Sequence, residues 1–209
     1  MHSSAIDNNP GLLKCIYEFD QEHLNQEVFR EDKMKSRTLE EKYRLLCVTK
    51  SSINEHLPTL RSYAKKVSHV TEFGVRAGIS TIGLLSGAPK KMISYDINPF
   101  KYKYDCVEWA QEIGTEFIFK RGDTREIDIE KTDLLFIDTN HFYDHLMTEL
   151  TRHCPQVSSY LICHDTAVFA NRGMMKAIVD FLKDYREWIL EKHYTNNNGL
   201  TILRRKNSR

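Results

Sequence analysis

The order of apolar and polar positions divides the chain into an N-terminal helical part and a longer part in which strands and helices alternate. Between residues 11 and 66, apolar side chains recur at the three- and four-residue spacing of amphipathic helices, with charged side chains between them. Ser52 and Glu55 have the spacing of a capping box, and Pro58 is tolerated in a first helical turn, which predicts a helix from there to about residue 66. The pattern leaves open whether this part only packs on the rest or also covers a substrate.

After residue 67, short apolar runs alternate with amphipathic segments, as in βαβ units around a parallel sheet. A cluster of turn-forming residues from Asn196 to Gly199 separates the last two apolar runs and predicts a terminal antiparallel hairpin. The predicted strands are residues 69–73, 92–96, 116–119, 133–137, 160–163, 188–194 and 200–203, and the predicted helices are 79–87, 103–112, 142–153 and 174–184.

These elements predict an α/β fold with helices on both faces of a mostly parallel sheet. A chain of 209 residues is long enough for one such domain and too short for two of ordinary size. We therefore expect one domain over residues 67–209, with residues 1–66 as a helical extension packed on it.

Composition narrows the partners and the compartment. Lys and Arg number 30 and Asp and Glu number 29, a net charge of +1, so no overall field attracts nucleic acid or an anionic membrane. No stretch approaches the ~20 apolar residues that a bilayer requires, and residues 1–10 lack a signal-peptide core. The five cysteines include no C-x-x-C pair. We expect a soluble, cytoplasmic protein with reduced, mostly buried cysteines that binds neither nucleic acid nor membrane.

The strongest single motif is a glycine-containing turn between the first strand and the next helix. Gly74 and Gly78 let the backbone bend sharply and approach a ligand, and the helix that follows presents free N–H groups. The glycines fit neither the dinucleotide fingerprint nor the P-loop. Glu72 would repel pyrophosphate and would attract the amino group of an amino-acid-like ligand. A tight structural turn without a ligand is the alternative.

Acidic residues follow the second and third strands. Asp96, about twenty residues beyond the glycine turn, has the position of a carboxylate that accepts both hydroxyls of a ribose. Asp123 follows the third strand at the same edge of the sheet, where an adenine contact fits. A helix cap at Asp96 and a plain turn at Asp123 remain open.

The fourth and fifth strands end in ionisable side chains. Asp138 and Asp165 leave adjacent strand ends, where two carboxylates can share a hard divalent cation such as Mg²⁺ and bring it to a substrate hydroxyl. His141 is close enough in sequence to act as a base near neutral pH. A structural histidine and a helix cap at Asp138 are the alternatives, and the convergence of three groups on one edge favours a site.

Taken in order, these motifs resemble those of class I S-adenosylmethionine-dependent methyltransferases. The matching series is Glu-x-Gly-x-x-x-Gly from Glu72, the acidic end of the second strand, Gly-Asp-Thr from Gly122, and Phe-Ile-Asp-Thr-x-His-x-Tyr from Phe136. The segments His-Asp-Thr from His164 and Asn-Gly-Leu-Thr from Asn198 are similar to the branch of macrocin O-methyltransferases and cephalosporin-hydroxylase-like proteins, and more distantly to catechol-type O-methyltransferases. The similarity covers about residues 52–205.

The resemblance implies a Rossmann-like fold whose seven-stranded sheet, with its last strand antiparallel, holds S-adenosylmethionine over the carboxyl edge. His141 falls where related enzymes place the general base. His164 stands where the macrocin-type branch has an acidic residue, which makes it the candidate third metal ligand after Asp138 and Asp165, and Thr166 stands where the catechol type has Asn. The implied cofactor-binding residues are Glu72, Gly74, Val75, Arg76, Gly78 and Ser80 at the methionine part, Asp96 at the ribose, Asp123 at the adenine, and Asp138 beside the methyl group.

The expected function is therefore O-methylation, dependent on S-adenosylmethionine and Mg²⁺, of a hydroxyl on a small molecule or a sugar. The alternatives are a methyltransferase fold with different chemistry, a nucleotide-binding module without catalysis, and a nicotinamide-dependent oxidoreductase, which the missing third glycine disfavours. A homodimer through the N-terminal helices is compatible with the sequence. Six aromatic residues could line the acceptor pocket or fill the core: Phe100, Tyr102, Tyr104, Phe142, Tyr143 and Phe169.

Overall fold

The computed structural model describes residues 38–100 and 102–206 of the 209-residue chain, without the side chain of Tyr104. The part of the predicted helical extension that precedes residue 38 lies outside the described residues.

Within the described ranges, seven strands form one sheet, which confirms the predicted fold class. They are β1 (His69–Phe73), β2 (Lys91–Asp96), β3 (Glu116–Arg121), β4 (Thr132–Ile137), β5 (Val157–His164), β6 (Trp188–Tyr194) and β7 (Leu200–Arg205). Their order is β3-β2-β1-β4-β5-β7-β6. The first five strands pair in parallel, and β7 runs antiparallel to both β5 and β6. The predicted terminal hairpin is confirmed.

Six α-helices are present in the described part of the chain, and each predicted helix from residue 79 onward has its counterpart among them. They are α1 (Leu39–Val48), α2 (Leu57–Ala64), α3 (Ile79–Leu85), α4 (Lys103–Glu112), α5 (Tyr143–His153) and α6 (Met174–Asp184). None of the helices in the described ranges is both long and apolar enough to cross a lipid bilayer.

The capping box predicted at Ser52 and Glu55 was wrong. The Oγ of Ser51 accepts the backbone N–H of Asn54, and the side chain of Asn54 in turn accepts the N–H of Ser51, so the turn closes one residue earlier. The N–H of Glu55 instead donates to the side chain of Asn197, far along the chain. Pro58 does lie in the first turn of α2, as predicted.

The strands bury both faces, because alternate side chains of a strand point to opposite sides of a sheet. On β4, Leu134 and Phe136 join one core with residues of α1, α2, α3 and α4, while Leu135 and Ile137 join a second core with residues of α5 and α6. Helices therefore cover both faces, as predicted. The described part of the N-terminal extension shares the first core, and its predicted boundary at residue 66 stays a prediction.

The carboxyl ends of β1 to β5 lie at one edge of the sheet, which we call the carboxyl edge. Since β2 and β4 flank β1, the strand order reverses direction at the end of β1. Open α/β sheets bind ligands in the crevice at such a reversal. The predicted site residues lie at this edge, on the strand ends, on the loops that follow them and at the start of α3.

Candidate active site

The turn after β1 is shaped by close packing against the next strand end. Gly74 has a φ of +83°, and a Cβ there would lie 2.0 Å from the carbonyl oxygen of Asp138. Gly78 has a φ of +77°, and a Cβ there would lie 2.5 Å from the ring of Phe100, which is buried. Both positions require glycine. The close approach of Gly74 places the turn directly beside the loop that carries Asp138.

Glu72 lies at the end of β1 with its side chain fully buried. Its carboxylate accepts hydrogen bonds from the hydroxyls of Ser80 at 2.6 Å, Thr81 at 2.8 Å and Ser94 at 2.6 Å. Burial raises the pKa of Glu72 to about 7, against the lowering effect of these three hydroxyls. The carboxylate ties β1 to α3 and β2. The predicted contacts of Glu72 and Ser80 with a cofactor stay predictions, and the structure gives both side chains partners inside the protein.

Asp96, at the end of β2, holds the glycine turn in place. One carboxylate oxygen accepts the backbone N–H of Val75 at 2.8 Å and of Arg76 at 2.9 Å, and the other accepts the N–H of Asn98 at 2.8 Å. Arg76 has a φ of +46°, which these bonds help to maintain. The contact of Asp96 with a ribose stays a prediction, and the structure shows that its carboxylate holds the turn through three backbone N–H groups.

An open groove follows at the ends of β2 and β3, lined by Ile97, Arg121, Gly122 and Asp123. Asp123 is paired with Arg125, whose Nη2 lies 2.6 Å from Oδ2, and this neighbour lowers the pKa of Asp123 to about 2. Ile97 is 62% exposed. Sequence reasoning missed Ile97, although an apolar residue directly after the acidic end of β2 is a usable signal for a flat, apolar ligand surface.

The ends of β4 and β5 bring together Asp138, His141 and Asp165, as predicted. The Nε2 of His141 lies 2.7 Å from Oδ2 of Asp165 and 3.6 Å from Oδ1 of Asp138. One ligand atom from each of the three residues lies within 4.8 Å of the others. Asp165 has a φ of +59°, an unusual conformation that turns its loop sharply after β5. The three groups can share one small ligand or ion.

His164 is almost completely buried behind these carboxylates. Its Nδ1 lies 3.3 Å from Asp138 and 3.5 Å from Asp165, whereas its Nε2 lies 3.1 Å from the carbonyl oxygen of Ser52 and 3.3 Å from that of Asn197. Since only a protonated Nε2 can donate to carbonyls, Nδ1 is the atom left to face the carboxylates. The prediction that His164 binds the metal stays a prediction.

The imidazoles and carboxylates of this cluster shift one another's pKa values. Burial alone would lower the pKa of His141, but Asp138 and Asp165 raise it to about 9. The same two carboxylates raise the pKa of His164 against the effect of burial. Burial would raise the pKa of Asp138, but the two imidazoles hold it well below its ordinary value.

The donor set fits a divalent cation. Three buried atoms of the cluster have ion-pair neighbours within it but no aligned hydrogen bond: Nε2 of His141, Nδ1 of His164 and Oδ1 of Asp165. Buried polar atoms are normally satisfied, so the cluster has capacity for a further partner. Two carboxylates from adjacent strands are ligands that Mg²⁺ prefers, and an imidazole is compatible with softer divalent ions.

The buried carboxylate of Glu149 links the loop after β3 to the loop after β4. Glu149 of α5 accepts hydrogen bonds from Thr139, at 2.9 and 2.8 Å, and from Thr124, and the Nε2 of His145 lies 3.3 Å from it. Thr124 follows Asp123 and Thr139 follows Asp138 in the sequence, so Glu149 fixes both loops to one helix. Sequence reasoning missed it, because a charged residue on a helix gives no sign of burial until the fold is known.

The turn from Asn196 to Gly199 supports the site from behind. The carbonyl oxygen of Asn197 is within reach of His164, and that of Asn198 accepts the N–H groups of Ala167 and Val168, in the loop after Asp165. The side chain of Asn197 also donates to the carbonyl of Ser51. The hairpin turn thus connects the segment before α2 to the loop that carries Asp165.

The aromatic residues divide between core and site. Phe100 belongs to the core, Tyr102 packs against it, and the hydroxyl of Tyr143 donates to Asp180. Phe169 stacks on His141, and Phe142 follows His141 in the chain with its side chain 48% exposed. The side chain of Tyr104 lies outside the described residues. Of the predicted pocket residues, Phe142 and Phe169 are therefore the two that the structure places next to the cluster.

Comparisons with known proteins bear on the fold. No protein-family model matches the chain, and no curated protein matches its sequence. The chain matches the SAH-bound methyltransferase PaMTH1 of Podospora anserina with a TM-score of 0.51 and 16% identity, over 99% of this chain and 100% of that one. It matches the O-methyltransferase of Bacillus cereus in complex with SAH with a TM-score of 0.54 and 14% identity, over 83% of this chain and 92% of that one. It matches the O-methyltransferase TomG of Streptomyces achromogenes in complex with SAM with a TM-score of 0.55 and 13% identity, over 82% of this chain and 91% of that one. At these identities the matches show that the chain has the methyltransferase fold.

Proposed function

We propose that the chain is an S-adenosylmethionine-dependent O-methyltransferase that places its acceptor hydroxyl at Asp138, His141 and Asp165. The observation that carries this proposal is the contact of Gly74 with the carbonyl of Asp138. It brings the turn that would hold a cofactor against the loop that starts the ionisable cluster. A methyl donor on one side and an acceptor on the other would then be neighbours, and orientation of that kind supplies a large part of catalysis.

Three features support S-adenosylmethionine as the cofactor. The turn from Gly74 to Gly78 lies at the reversal of strand order, Asp96 ends β2, and Ile97 exposes an apolar surface beside Asp123. The sequence lacks the glycines of a dinucleotide fingerprint. Three neighbours in fold were solved with SAM or SAH bound.

A divalent cation, with Mg²⁺ as the first candidate, would be held by Asp138 and Asp165, with an imidazole of His141 or His164 beside it. When bound, such an ion would lower the pKa of an acceptor hydroxyl. Asp138 and Asp165 raise the pKa of His141 to about 9, so the imidazole is protonated at neutral pH. A general base must be neutral before it can accept a proton. The role of His141 as the base therefore requires that the charge of Asp138 and Asp165 be offset by another cation.

The remaining residues of the cluster position His141 and the acceptor. Phe169 stacks on the imidazole of His141 with a centroid distance of 4.4 Å and an interplanar angle of 8°, which fixes the plane of the ring. Asp165 orients Nε2 through the 2.7 Å contact. An acceptor hydroxyl of a small molecule or a sugar, the class proposed here, would donate its proton to this imidazole.

The test is transfer of a labelled methyl group from S-adenosylmethionine to a panel of hydroxyl compounds, with and without a chelator. We expect transfer that a chelator abolishes and Mg²⁺ restores, and a loss of about 100-fold or more in His141→Asn. Full activity in chelator would exclude the metal, and unchanged turnover of His141→Asn would exclude the base. Binding of S-adenosylmethionine without transfer to any hydroxyl would favour the non-catalytic alternative.

A further inference from the structure

A solvent-facing apolar wall flanks the cluster on one side. Phe142 is 48% exposed and Val168 is 51% exposed, and both lie on the loops that carry His141 and Asp165. Phe169 completes the wall by stacking on His141. Large apolar side chains on a surface are notable when they gather beside a polar site, because a ligand with an apolar part can cover them.

Arg172 stands over this wall. Its guanidinium carbon lies 4.5 Å from the ring centroid of Phe169 and 5.1 Å from that of Phe142. Stacking on an aromatic ring uses the face of the guanidinium and leaves its N–H edges available for hydrogen bonds. Among the residues that the structure describes, Arg172 forms no ion pair.

The position of Arg172 is fixed by backbone packing. It ends the short 3-10 helix Ala170–Arg172, and the next residue, Gly173, has a φ of +88°. A Cβ on Gly173 would lie 2.8 Å from the Cβ of Tyr143, at the start of α5. The glycine therefore lets the segment with Arg172 approach the segment with Phe142, and two separate parts of the chain are held together to form one surface.

We propose that Arg172, Phe142 and Phe169 form an acceptor subsite for an anionic group, so that the acceptor is a small hydroxyl compound bearing a carboxylate or a phosphate ester next to a planar or apolar part. The inference rests on the proposed function for the position of the hydroxyl. Arg172 binds the anion through two parallel N–H donors, which is the geometry that a guanidinium offers to a carboxylate or phosphate. Phe169 holds the guanidinium beside the site. The exposed side chains of Phe142 and Val168 contact the apolar part, and His141 meets the hydroxyl.

The test measures binding of three probes that share a phenol ring and differ in charge: 4-hydroxybenzoate, 4-hydroxyphenyl phosphate and the neutral 4-hydroxybenzamide. Each is titrated calorimetrically into the full-length protein with Mg²⁺, once with and once without S-adenosylhomocysteine. We expect at least one anionic probe to bind about ten-fold more tightly than the amide, as a hydrogen-bonded charged pair would give. The two anionic probes distinguish a carboxylate acceptor from a phosphate ester.

Variants assign the preference to the guanidinium. Arg172→Gln should remove the difference between the anionic and neutral probes, and Arg172→Lys, which keeps the charge without the planar fork, should retain only part of it. Arg186→Gln is the matched control, because Arg186 is an exposed arginine just before β6, at the opposite edge of the sheet. It should leave the preference intact. Circular dichroism confirms that each variant folds, and Arg172→Lys serves if Arg172→Gln does not.

Equal binding of the anionic and neutral probes, absence of binding by all three, or an unchanged preference in Arg172→Gln would overturn the subsite. Failure of the proposed function looks different. If S-adenosylhomocysteine does not bind but the anionic preference and its dependence on Arg172 remain, the subsite holds and the methyltransferase proposal falls.

Discussion

The two halves of the carboxyl edge use their carboxylates in opposite ways. At the ends of β1, β2 and β3, each acidic side chain that the sequence singled out has partners within the protein: three hydroxyls for Glu72, three backbone N–H groups for Asp96, and Arg125 for Asp123. Beyond β4 and β5, two carboxylates and two imidazoles converge, and buried atoms among them lack hydrogen bonds.

The difference shows how one sheet edge can serve two tasks. Carboxylates that are hydrogen-bonded or ion-paired within the protein hold the loops in one conformation, so a ligand at these loops would bind a preformed surface. Carboxylates and imidazoles that are only partly satisfied retain the capacity to bind an ion or exchange a proton. Under the proposed function the first half would hold the cofactor and the second would carry the acceptor chemistry, and the following changes test that division.

Gly74→Ala should have the largest effect. The new methyl group would meet the carbonyl oxygen of Asp138 at 2.0 Å, at a φ of +83° that alanine also disfavours, so we expect a loss of about 4 kcal/mol in the free energy of unfolding. Gly114→Ala is the matched control, because Gly114 has a φ of +74° and open space around it. It should cost only about 1 kcal/mol. Equal losses by denaturant unfolding would show that the contact between the two loops is unimportant.

Glu72→Gln should change how stability depends on pH. The unfolded chain releases the Glu72 proton near its ordinary pKa of 4.5 and the folded protein near 7, because of burial. The free energy of unfolding of the wild type should therefore fall relative to the variant as pH rises from about 4.5 to about 7, by an amount on the order of 3 kcal/mol, and stay level above that.

Chemical denaturation at pH 5, 6, 7 and 8 measures this difference. Glu112→Gln, an exposed position at the end of α4, is the control and should follow the wild type. A constant difference between wild type and Glu72→Gln at all four values would mean that Glu72 is ionised in the fold with an ordinary pKa.

Asp165→Asn should weaken Mg²⁺ binding by about 100-fold, which corresponds to ~2.7 kcal/mol. Asparagine tolerates the left-handed backbone at this position, where φ is +59°, so the loop should keep its shape while the charge is lost. Calorimetric titration of Mg²⁺ checks the affinity, with Asp184→Asn, at the exposed end of α6, as the control. The same affinity in wild type and Asp165→Asn would rule out the assignment of Asp165 as a ligand.

Glu149→Gln should have the smallest effect on stability and should affect both halves. Glutamine removes the charge and replaces one of the two acceptor oxygens by an NH₂ group, which cannot accept from Thr139, so we expect a loss of about 1 to 2 kcal/mol. Because Glu149 holds both loops, the variant should weaken binding of S-adenosylhomocysteine and of Mg²⁺ together. An effect on only one ligand would show that the halves are independent.

Much of this arrangement was predictable from the sequence. The strands followed from short apolar runs and turn residues, and the meeting of Asp138, His141 and Asp165 followed because carboxyl ends of parallel strands share an edge. The sharp turn at Gly74 and Gly78, between β1 and α3, was predictable as well.

The partners of these residues were not predictable, since they depend on contacts between distant segments. Glu72 was expected to face a ligand, but its three hydroxyl partners come from α3 and β2. The approach of a ligand to Gly74 stays a prediction, and nothing in the sequence indicates that the backbone of Asp138 also packs against this glycine. Glu149 carries a charge typical of a solvated helix face, and only the fold shows that this face is buried.

The most direct measurement is calorimetric titration of S-adenosylhomocysteine into the wild type, Asp96→Asn and Asp165→Asn, with NAD as the comparison ligand. We expect the wild type to bind S-adenosylhomocysteine at one site and not to bind NAD, Asp96→Asn to bind it at least ten-fold more weakly, and Asp165→Asn to bind it within about two-fold of the wild type. Absence of binding by the wild type, or equal weakening by the two substitutions, would contradict the division of the edge into a cofactor half and an acceptor half.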